Sequence, residues 1–278
     1  MNEIEGEQPT IWINGVFSDS GEVSISPFDQ GANLGLGVFD SLCGYDGVPF
    51  DFPKHYKRLV AGAERIGLDA PTLESLYDAL IGVMAKNEFG QGRSRLRITL
   101  LAGAKHSNCI VTAAAVPQRS TFSKVVVSTY RVNERSPLVG IKSTSYASNW
   151  LTYQEAQVSG ADEAIMLNSQ GMLCEGATSN LFLMKGETLF TPSLSSGCLP
   201  GVTRDTILEI CEELVIAVRQ QDLTLEDLQT CDEAFLTSSL REVQPVESVD
   251  GVPLKTVGGR LITALQEAYQ TRISHGSK

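Results

Sequence analysis

A polar break, Pro117-Gln118-Arg119-Ser120-Thr121, divides this chain of 278 residues into two halves with different periodicities. Before the break, strand-like and helix-like stretches alternate. Asn14-Gly15 lies between Ile11-Trp12-Ile13 and Val16-Phe17, and Asp46-Gly47 lies between Leu42-Cys43-Gly44-Tyr45 and Val48-Pro49-Phe50. Both pairs signal hairpins, because Asn-Gly and Asp-Gly tolerate the positive φ of a tight turn. A helix over residues 55–68 places Leu59, Ala63 and Ile66 on one face. A second, over residues 73–89, places Leu73, Leu76, Tyr77, Leu80 and Met84 at helical spacing. Residues 96–101 and 110–116 read as strands. The first half is therefore expected to be an α+β unit on a mostly antiparallel sheet.

Beyond the break, strands dominate. Residues 124–128 begin one, and hairpins are expected at Asn168-Ser169-Gln170-Gly171 and Lys185-Gly186-Glu187. Helices are expected over residues 149–158, 202–217 and 259–270, the second presenting Ile207, Ile210, Cys211 and Leu214 on one face. The expected organisation is a small α+β domain over 1–117, a linker over 118–123 and a larger domain over 124–278.

Composition narrows the chemistry. With 33 acidic against 22 basic residues, the formal charge is −11, unsuited to nucleic acid or an anionic membrane. No stretch approaches the roughly 20 apolar residues of a membrane span. The opening MNEIEGEQPT is too acidic and polar for a secretory or transit segment. Six cysteines without C-x-x-C spacing read as reduced thiols of a cytoplasmic protein. Three histidines, His55, His106 and His275, stand far apart. That inventory speaks against a zinc centre, a Ser-His-Asp hydrolase or a Cys-His hydrolase, so no metal is expected.

Other residues must carry any reaction. Lys142 follows the apolar run Leu138-Val139-Gly140-Ile141 and precedes small hydroxyl residues, the setting of a desolvated nucleophilic amine. Buried lysines are rare, and the same context suits a strand-end lysine reaching solvent. Glu175, before Gly176-Ala177-Thr178-Ser179, could face a cationic ring nitrogen or pair with a surface base. Leu199-Pro200-Gly201-Val202-Thr203 opens a helix whose free amides suit a phosphate or an ordinary cap. Arg58 lies on a helix with a fork suited to phosphate, or to solvent. Thr237-Ser238-Ser239 is either an anion cradle or a hydroxyl-rich turn. Gly35-Leu36-Gly37 before Asp40 lacks the third glycine and βαβ context of a dinucleotide fingerprint.

Taken in order, these stretches resemble one family. They are Gly37-Val38-Phe39-Asp40, His55-x-x-Arg58-Leu59, Ile141-Lys142-Ser143-x-x-Tyr146, Gly160-Ala161-Asp162-Glu163-Ala164, Glu175-Gly176-x-x-x-Asn180-Leu181-Phe182, Leu199-Pro200-Gly201-x-Thr203-Arg204 and Ser238-Ser239-x-x-Glu242-Val243-x-Pro245-Val246. The pattern is similar to that of the class IV aminotransferases, the fold-type IV pyridoxal-phosphate enzymes. Branched-chain aminotransferases, D-amino-acid transaminases and aminodeoxychorismate lyases belong to that family.

The resemblance implies a two-domain α+β fold, with a small α/β N-terminal domain and a larger β-barrel-like C-terminal domain. It implies pyridoxal 5'-phosphate as cofactor, held by Lys142 as a Schiff base, with Lys142 also moving the substrate's α-proton. Glu175 would keep the pyridine nitrogen protonated, and Tyr146 would meet the 3-hydroxyl. Arg58, Val202, Thr203 and Ser239 would cradle the phosphate. Arg97 matches a carboxylate-binding arginine of the family, and Phe39, Leu240 and Arg241 are further substrate candidates, the last two through backbone amides. Branched-chain enzymes carry an arginine where this chain has Cys43 and a tyrosine where it has Leu34. In place of the Arg-x-His pair of D-amino-acid transaminases stand Lys105 and His106.

The implied activity is amino transfer from a branched-chain-like amino acid to a 2-oxo acid such as 2-oxoglutarate. Aminodeoxychorismate lyase and D-amino-acid transaminase are the alternatives, and a homodimer is expected. A binding protein that had lost its chemistry would have had no need to keep both Lys142 and Glu175.

Overall fold

The computed structural model describes residues 8–276; most of the acidic opening read above, residues 1–7, lies outside the described residues. The chain forms two compact units. The first gathers the described residues up to Pro117 with Lys142–Ser145 and Gly276, and the second comprises Gln118–Ile141 and Tyr146–His275. Lys142–Ser145, expected within the larger domain, pack instead with the first unit. The reason is an open strand edge, described below.

In the first unit the chain runs through β1 (Thr10–Ile13), β2 (Val16–Asp19), α1 (Gln30–Leu34), β3 (Gly37–Tyr45), β4 (Val48–Pro49), α2 (Phe52–Arg65), α3 (Leu73–Lys86), β5 (Arg93–Leu101) and β6 (Asn108–Ala115). Asn14 and Asp46 both take φ of 49°, the left-handed turn geometry their Asn-Gly and Asp-Gly pairs announced. The sheet order is β2-β1-β6-β5-β3-β4, antiparallel throughout.

β5 alternates strictly. Ser94, Leu96, Ile98 and Leu100 are buried, while Arg93, Arg95, Arg97 and Thr99 are less so. The buried face meets the helices, and burial of each large aliphatic there contributes about 2 kcal/mol. α3 is capped by Thr72, which accepts from Ser75 N, and buries Leu76, Ala79, Leu80, Val83 and Met84. Leu73 and Tyr77, expected on that face, are 38% and 39% exposed. The contact stripe runs through Ala79 and Val83 instead, leaving these two at its margin.

The second unit contains β7 (Ser123–Val132), α4 (Ala147–Val158), β8 (Glu163–Asn168), β9 (Leu173–Gly176), β10 (Asn180–Lys185), β11 (Thr188–Pro192), α5 (Val202–Glu213), β12 (Val218–Gln221), α6 (Leu225–Thr230), β13 (Glu233–Ser238), β14 (Glu242–Val249), β15 (Val252–Pro253) and α7 (Arg260–Gly276). Its nine-stranded sheet runs β12-β11-β10-β13-β14-β7-β8-β9, with β15 on β14, and curls into a half-barrel. β7 lies parallel to both β14 and β8, and β11 lies parallel to β12; the other pairs are antiparallel.

Every residue of β8 is buried, so this strand is covered on both faces, with the apolar run Ala164-Ile165-Met166-Leu167 between Glu163 and Asn168. Leu181, Leu183, Leu236 and Val246 join Leu228 of α6 in one core, and Phe182 stacks on Phe235 with centroids 4.8 Å apart. α5 buries Ile207, Ile210 and Cys211 as expected, but Leu214 is the C-cap residue and 49% exposed. Among the described residues, no helix is long and apolar enough to cross a membrane.

Candidate active site

β3 pairs with β5 along its whole length but with β4 only at Gly44 and Tyr45, which leaves the first part of its other edge open. Residues 142–144 fill that edge. Phe39 N donates to Lys142 O and Thr144 N to Gly37 O, each at 2.9 Å. The hydroxyls after Lys142 now have a physical reason. Ser143 Oγ donates to Gly37 O, and Thr144 Oγ1 and Ser145 Oγ both donate to Gly35 O. A Cβ on Gly37 would lie 2.4 Å from Leu100 O, so this edge needs glycine.

The antiparallel bridge of Val38 with Ser143 puts Lys142 on the same face as Phe39. Lys142 Nζ stands 4.8 Å from the centroid of the Phe39 ring, and the Arg97 guanidinium stands 3.7 Å from the same centroid. Arg97 Nε donates to Thr99 Oγ1 at 3.0 Å, which fixes its direction. Three residues singled out from the sequence thus converge on one face: an amine, a guanidinium and the ring between them.

The opposite face of β3 holds Asp40. Arg58 of α2 grips it with Nε to Oδ2 and Nη2 to Oδ1, and His55 Nδ1 lies 2.8 Å from Oδ1. Burial would raise the Asp40 pKa, but Arg58 and then His55 outweigh it and hold the carboxyl well below the usual carboxylate range. The sequence reading offered Arg58 to phosphate or to solvent and did not foresee Asp40 as its partner. Two of its three nitrogens are committed to Asp40, which sets the angle at which the guanidinium is presented.

In the second unit, Glu175 on β9 is tied to the turn before α5. Its Oε2 accepts from Leu199 N at 2.9 Å and from Asn180 Nδ2 at 3.3 Å, and Asn180 Nδ2 also donates to Leu199 O at 2.9 Å. A Cβ on Gly201 would run into Asn180 Oδ1, so any larger residue there has to displace that amide. α5 begins at Val202 with Gly201 as its N-cap and no side-chain cap, so its first amides have no capping side chain. Val202 and Thr203 are both buried there.

Tyr146 is the N-cap of α4, and its hydroxyl donates to Ala177 O at 3.0 Å, as does Asn149 Nδ2. Ala177 belongs to the turn directly after Glu175 and Gly176. Ser239 and Leu240 lie half-buried in the turn between β13 and β14.

Arg241, expected to meet substrate through its backbone amide, has a side chain engaged elsewhere. Its side chain is wholly buried and bonds Glu163 Oε2 at 3.0 Å, Gln244 Oε1 and Asp162 O, and its amide donates to Ser238 Oγ. Glu163 Oε2 in turn accepts from Thr178 Oγ1 at 2.6 Å and Ser179 Oγ at 3.1 Å. This buried pair joins the β9–β10 turn to the β13–β14 turn. Glu163 and Asn180 lie within the stretches that resemble the family, but only their partners show what they do. Among the described residues, no group of three or more His, Cys, Asp or Glu could hold a metal ion.

Comparison with known proteins places this arrangement. Residues 37–249 match the family described as amino-transferase class IV. The chain is 30% identical over 265 residues to the branched-chain-amino-acid aminotransferase of Escherichia coli (strain K12), covering 87% of this chain and 85% of that one. It is 28% identical over 278 residues to the aminodeoxychorismate lyase of Bacillus subtilis (strain 168), covering 95% of each. The crystal structure of the branched-chain aminotransferase from Thermoproteus uzoniensis with norvaline superposes with a TM-score of 0.88 at 28% identity, covering 94% of this chain and 93% of that one. Pyridoxal 5'-phosphate is the cofactor of this family. The donor set fits it: a primary amine beside an aromatic ring, a hydrogen-bonded carboxylate, and a helix start with no side-chain cap. The chain belongs to the class IV aminotransferases, a family of enzymes.

Proposed function

We propose that the chain transfers the amino group of a branched-chain-like amino acid to a 2-oxo acid such as 2-oxoglutarate, with pyridoxal 5'-phosphate bound covalently through Lys142. The observation that carries this reading is the shared Phe39 ring, with Lys142 Nζ 4.8 Å and the Arg97 guanidinium 3.7 Å from its centroid. An amine that moves an α-proton and a guanidinium that holds a carboxylate are needed side by side. When bound, the cofactor supplies an electron sink for the carbanion left at the substrate's α-carbon.

The chain's own residues do the rest. Lys142 provides the covalent anchor and carries the α-proton. Glu175, steadied by Leu199 N and Asn180, keeps the pyridine nitrogen protonated. Arg58, the first amides of α5, Thr203 and Ser239 take the phosphate. Tyr146 gives its own proton to Ala177 O, which would leave its oxygen able to accept from the cofactor's 3-hydroxyl. Arg97 takes the substrate carboxylate, with Phe39 and Leu240 bordering it.

Lys142→Ala tests the assignment: the visible absorbance of the bound cofactor and turnover should both vanish. Survival of both would overturn it. The proposed assembly is a homodimer in the cytoplasm. Exposed Phe28, Leu34, Trp150 and Leu151 support self-association, and six free buried cysteines support a reducing compartment. A fully active monomer in sedimentation would refute the dimer.

A second reading, aminodeoxychorismate lyase, is favoured by Cys43, which stands where branched-chain enzymes carry arginine. Pyruvate release from aminodeoxychorismate without an added 2-oxo acid would establish it, and a strict need for an acceptor would exclude it.

A further inference from the structure

The turn between β13 and β14 has a shape that its own residues do not favour. Ser238 pairs with Glu242, so Ser239, Leu240 and Arg241 form the loop, and Glu242 follows it with φ of 59°. A hairpin loop of this length commonly ends on a left-handed residue, and glycine suits that place. Here a glutamate takes it, in a conformation that L side chains avoid. Such strain persists only where the surroundings over-determine the backbone.

The Arg241 side chain supplies that hold. Its guanidinium is wholly buried, as is the Glu163 carboxylate it meets at 3.0 Å. Nη2 also donates to Asp162 O at 3.1 Å and Nη1 to Gln244 Oε1, while Gln244 Nε2 donates to Ser120 O at 2.6 Å. The Arg241 amide closes the loop onto Ser238 Oγ at 3.3 Å. The loop is thereby fastened to β8, to β14 and to the polar break, all within the second unit. Glu163 is saturated in turn. Its Oε1 accepts from Ala164 N, and its Oε2 from the Thr178 and Ser179 hydroxyls as well as from Arg241.

Stability does not account for this pair. Apolar side chains of similar volume hold a fold as well as a buried ion pair does, because both charges lose their water on burial. What the pair adds is direction, since a planar fork meets its acceptors in one orientation.

We infer that Arg241 is a positioning residue. Through Glu163 and Gln244 it keeps the strained loop in the shape that presents Ser239 to the cofactor's phosphate. The inference rests on the reading that gives Ser239 to that phosphate, and it adds a residue that acts on Ser239 from behind.

The test compares pyridoxal 5'-phosphate with pyridoxal, which lacks the phosphate, by equilibrium dialysis against the full-length protein freed of cofactor. Wild type should bind the phosphate form more tightly. Arg241→Met should lower that preference roughly tenfold, the scale of one hydrogen bond to a charged group, and leave pyridoxal binding as it was. Arg241→Lys, which keeps the charge and loses the fork, should recover part of the preference. If Arg241→Met does not fold, Glu163→Gln/Arg241→Met removes the stranded carboxylate and takes its place. The preference should stay low in that double variant too, because nothing holds the loop. A merely structural role gives another pattern: both ligands weaken equally in the single variant and recover together in the double. That pattern, or a preference unmoved in every variant, would overturn the role of Arg241.

Turnover separates this inference from the activity. If wild type consumes no amino donor, yet Arg241→Met loses the preference for the phosphate form, the aminotransferase reading fails and the positioning role stands. If amino donors are consumed and the preference is unmoved, the positioning role fails and the aminotransferase stands. A wild type without the preference would take Ser239 away from the phosphate and overturn the role of Arg241 with it.

Discussion

Arg58 and Asp40 meet as a two-pronged ion pair, with both N–O distances 2.8 Å and the carboxylate wholly inaccessible to solvent. The pair pins α2 to β3 one residue away from the Phe39 ring that carries Lys142 and Arg97. His55 completes the arrangement from the same helix face, three residues before Arg58.

Asp40→Asn should therefore cost about 3 kcal/mol at pH 7, because it leaves a buried guanidinium uncompensated. The Asp40 pKa is lowered in the folded state, so its contribution is fully present above the unfolded carboxylate value of about 4 and is lost as pH falls below it. Urea melts of wild type and variant should differ most near neutrality and draw together in acid. A gap that widened on acidification would contradict the sign.

Gly201→Ala should weaken cofactor binding, since its Cβ would strike Asn180 Oδ1 and displace the amide that steadies Glu175. Equilibrium dialysis with pyridoxal 5'-phosphate should show roughly a tenfold weaker dissociation constant, the scale of one lost hydrogen-bonded contact. Truncating the obstacle as well, in Gly201→Ala/Asn180→Ala, should give less than the sum of the two single losses. Strict additivity would mean the two residues do not act through one another.

Much of this was legible beforehand. Asn14-Gly15 and Asp46-Gly47 specified their hairpins through turn chemistry alone, and α2 and β5 followed from periodicity. The elements left unread were short or buried on both sides. α6 spans six residues and owes its place to Leu228 in the core, so no amphipathic period could form. Lys142 was visible as a residue but not as a place. Its position depends on an unpaired edge far away in the chain, which local pattern does not carry. The Arg241 side chain was not read at all, because its partner Glu163 lies 78 positions away and a basic residue in a hydroxyl-rich turn carries no local sign of it.

Arg241→Met should be more harmful than its partner's neutralisation combined with it. Removing the guanidinium leaves Glu163 charged and buried, a loss of about 3–5 kcal/mol. In Glu163→Gln/Arg241→Met that charge is gone, so denaturant unfolding should show the double variant to be the more stable of the two. The reverse order would mean that the ion pair is not what holds the two turns together.

The thiols should be silent in the native protein. All six cysteines are free and buried, and burial pushes Cys109 up to about 12 and Cys198, Cys211 and Cys231 up to about 11. A thiol reagent at pH 8 should titrate less than one group within minutes and all six in guanidinium chloride. Rapid native reaction would reveal local opening around one of them.

The three residues that close the edge of β3 also set an order of events during synthesis. Ser143 and Gly37 are bonded across 106 positions, and the intervening chain has already entered the second unit. A nascent chain that has emerged only as far as Pro117 holds every helix and strand of the first unit and still lacks the segment that seals its sheet. That incomplete sheet must wait on the ribosome with one edge exposed, so cutting the chain at the break cannot yield a finished first unit. Lys142, the proposed anchor of the cofactor, is also the residue that ends this wait.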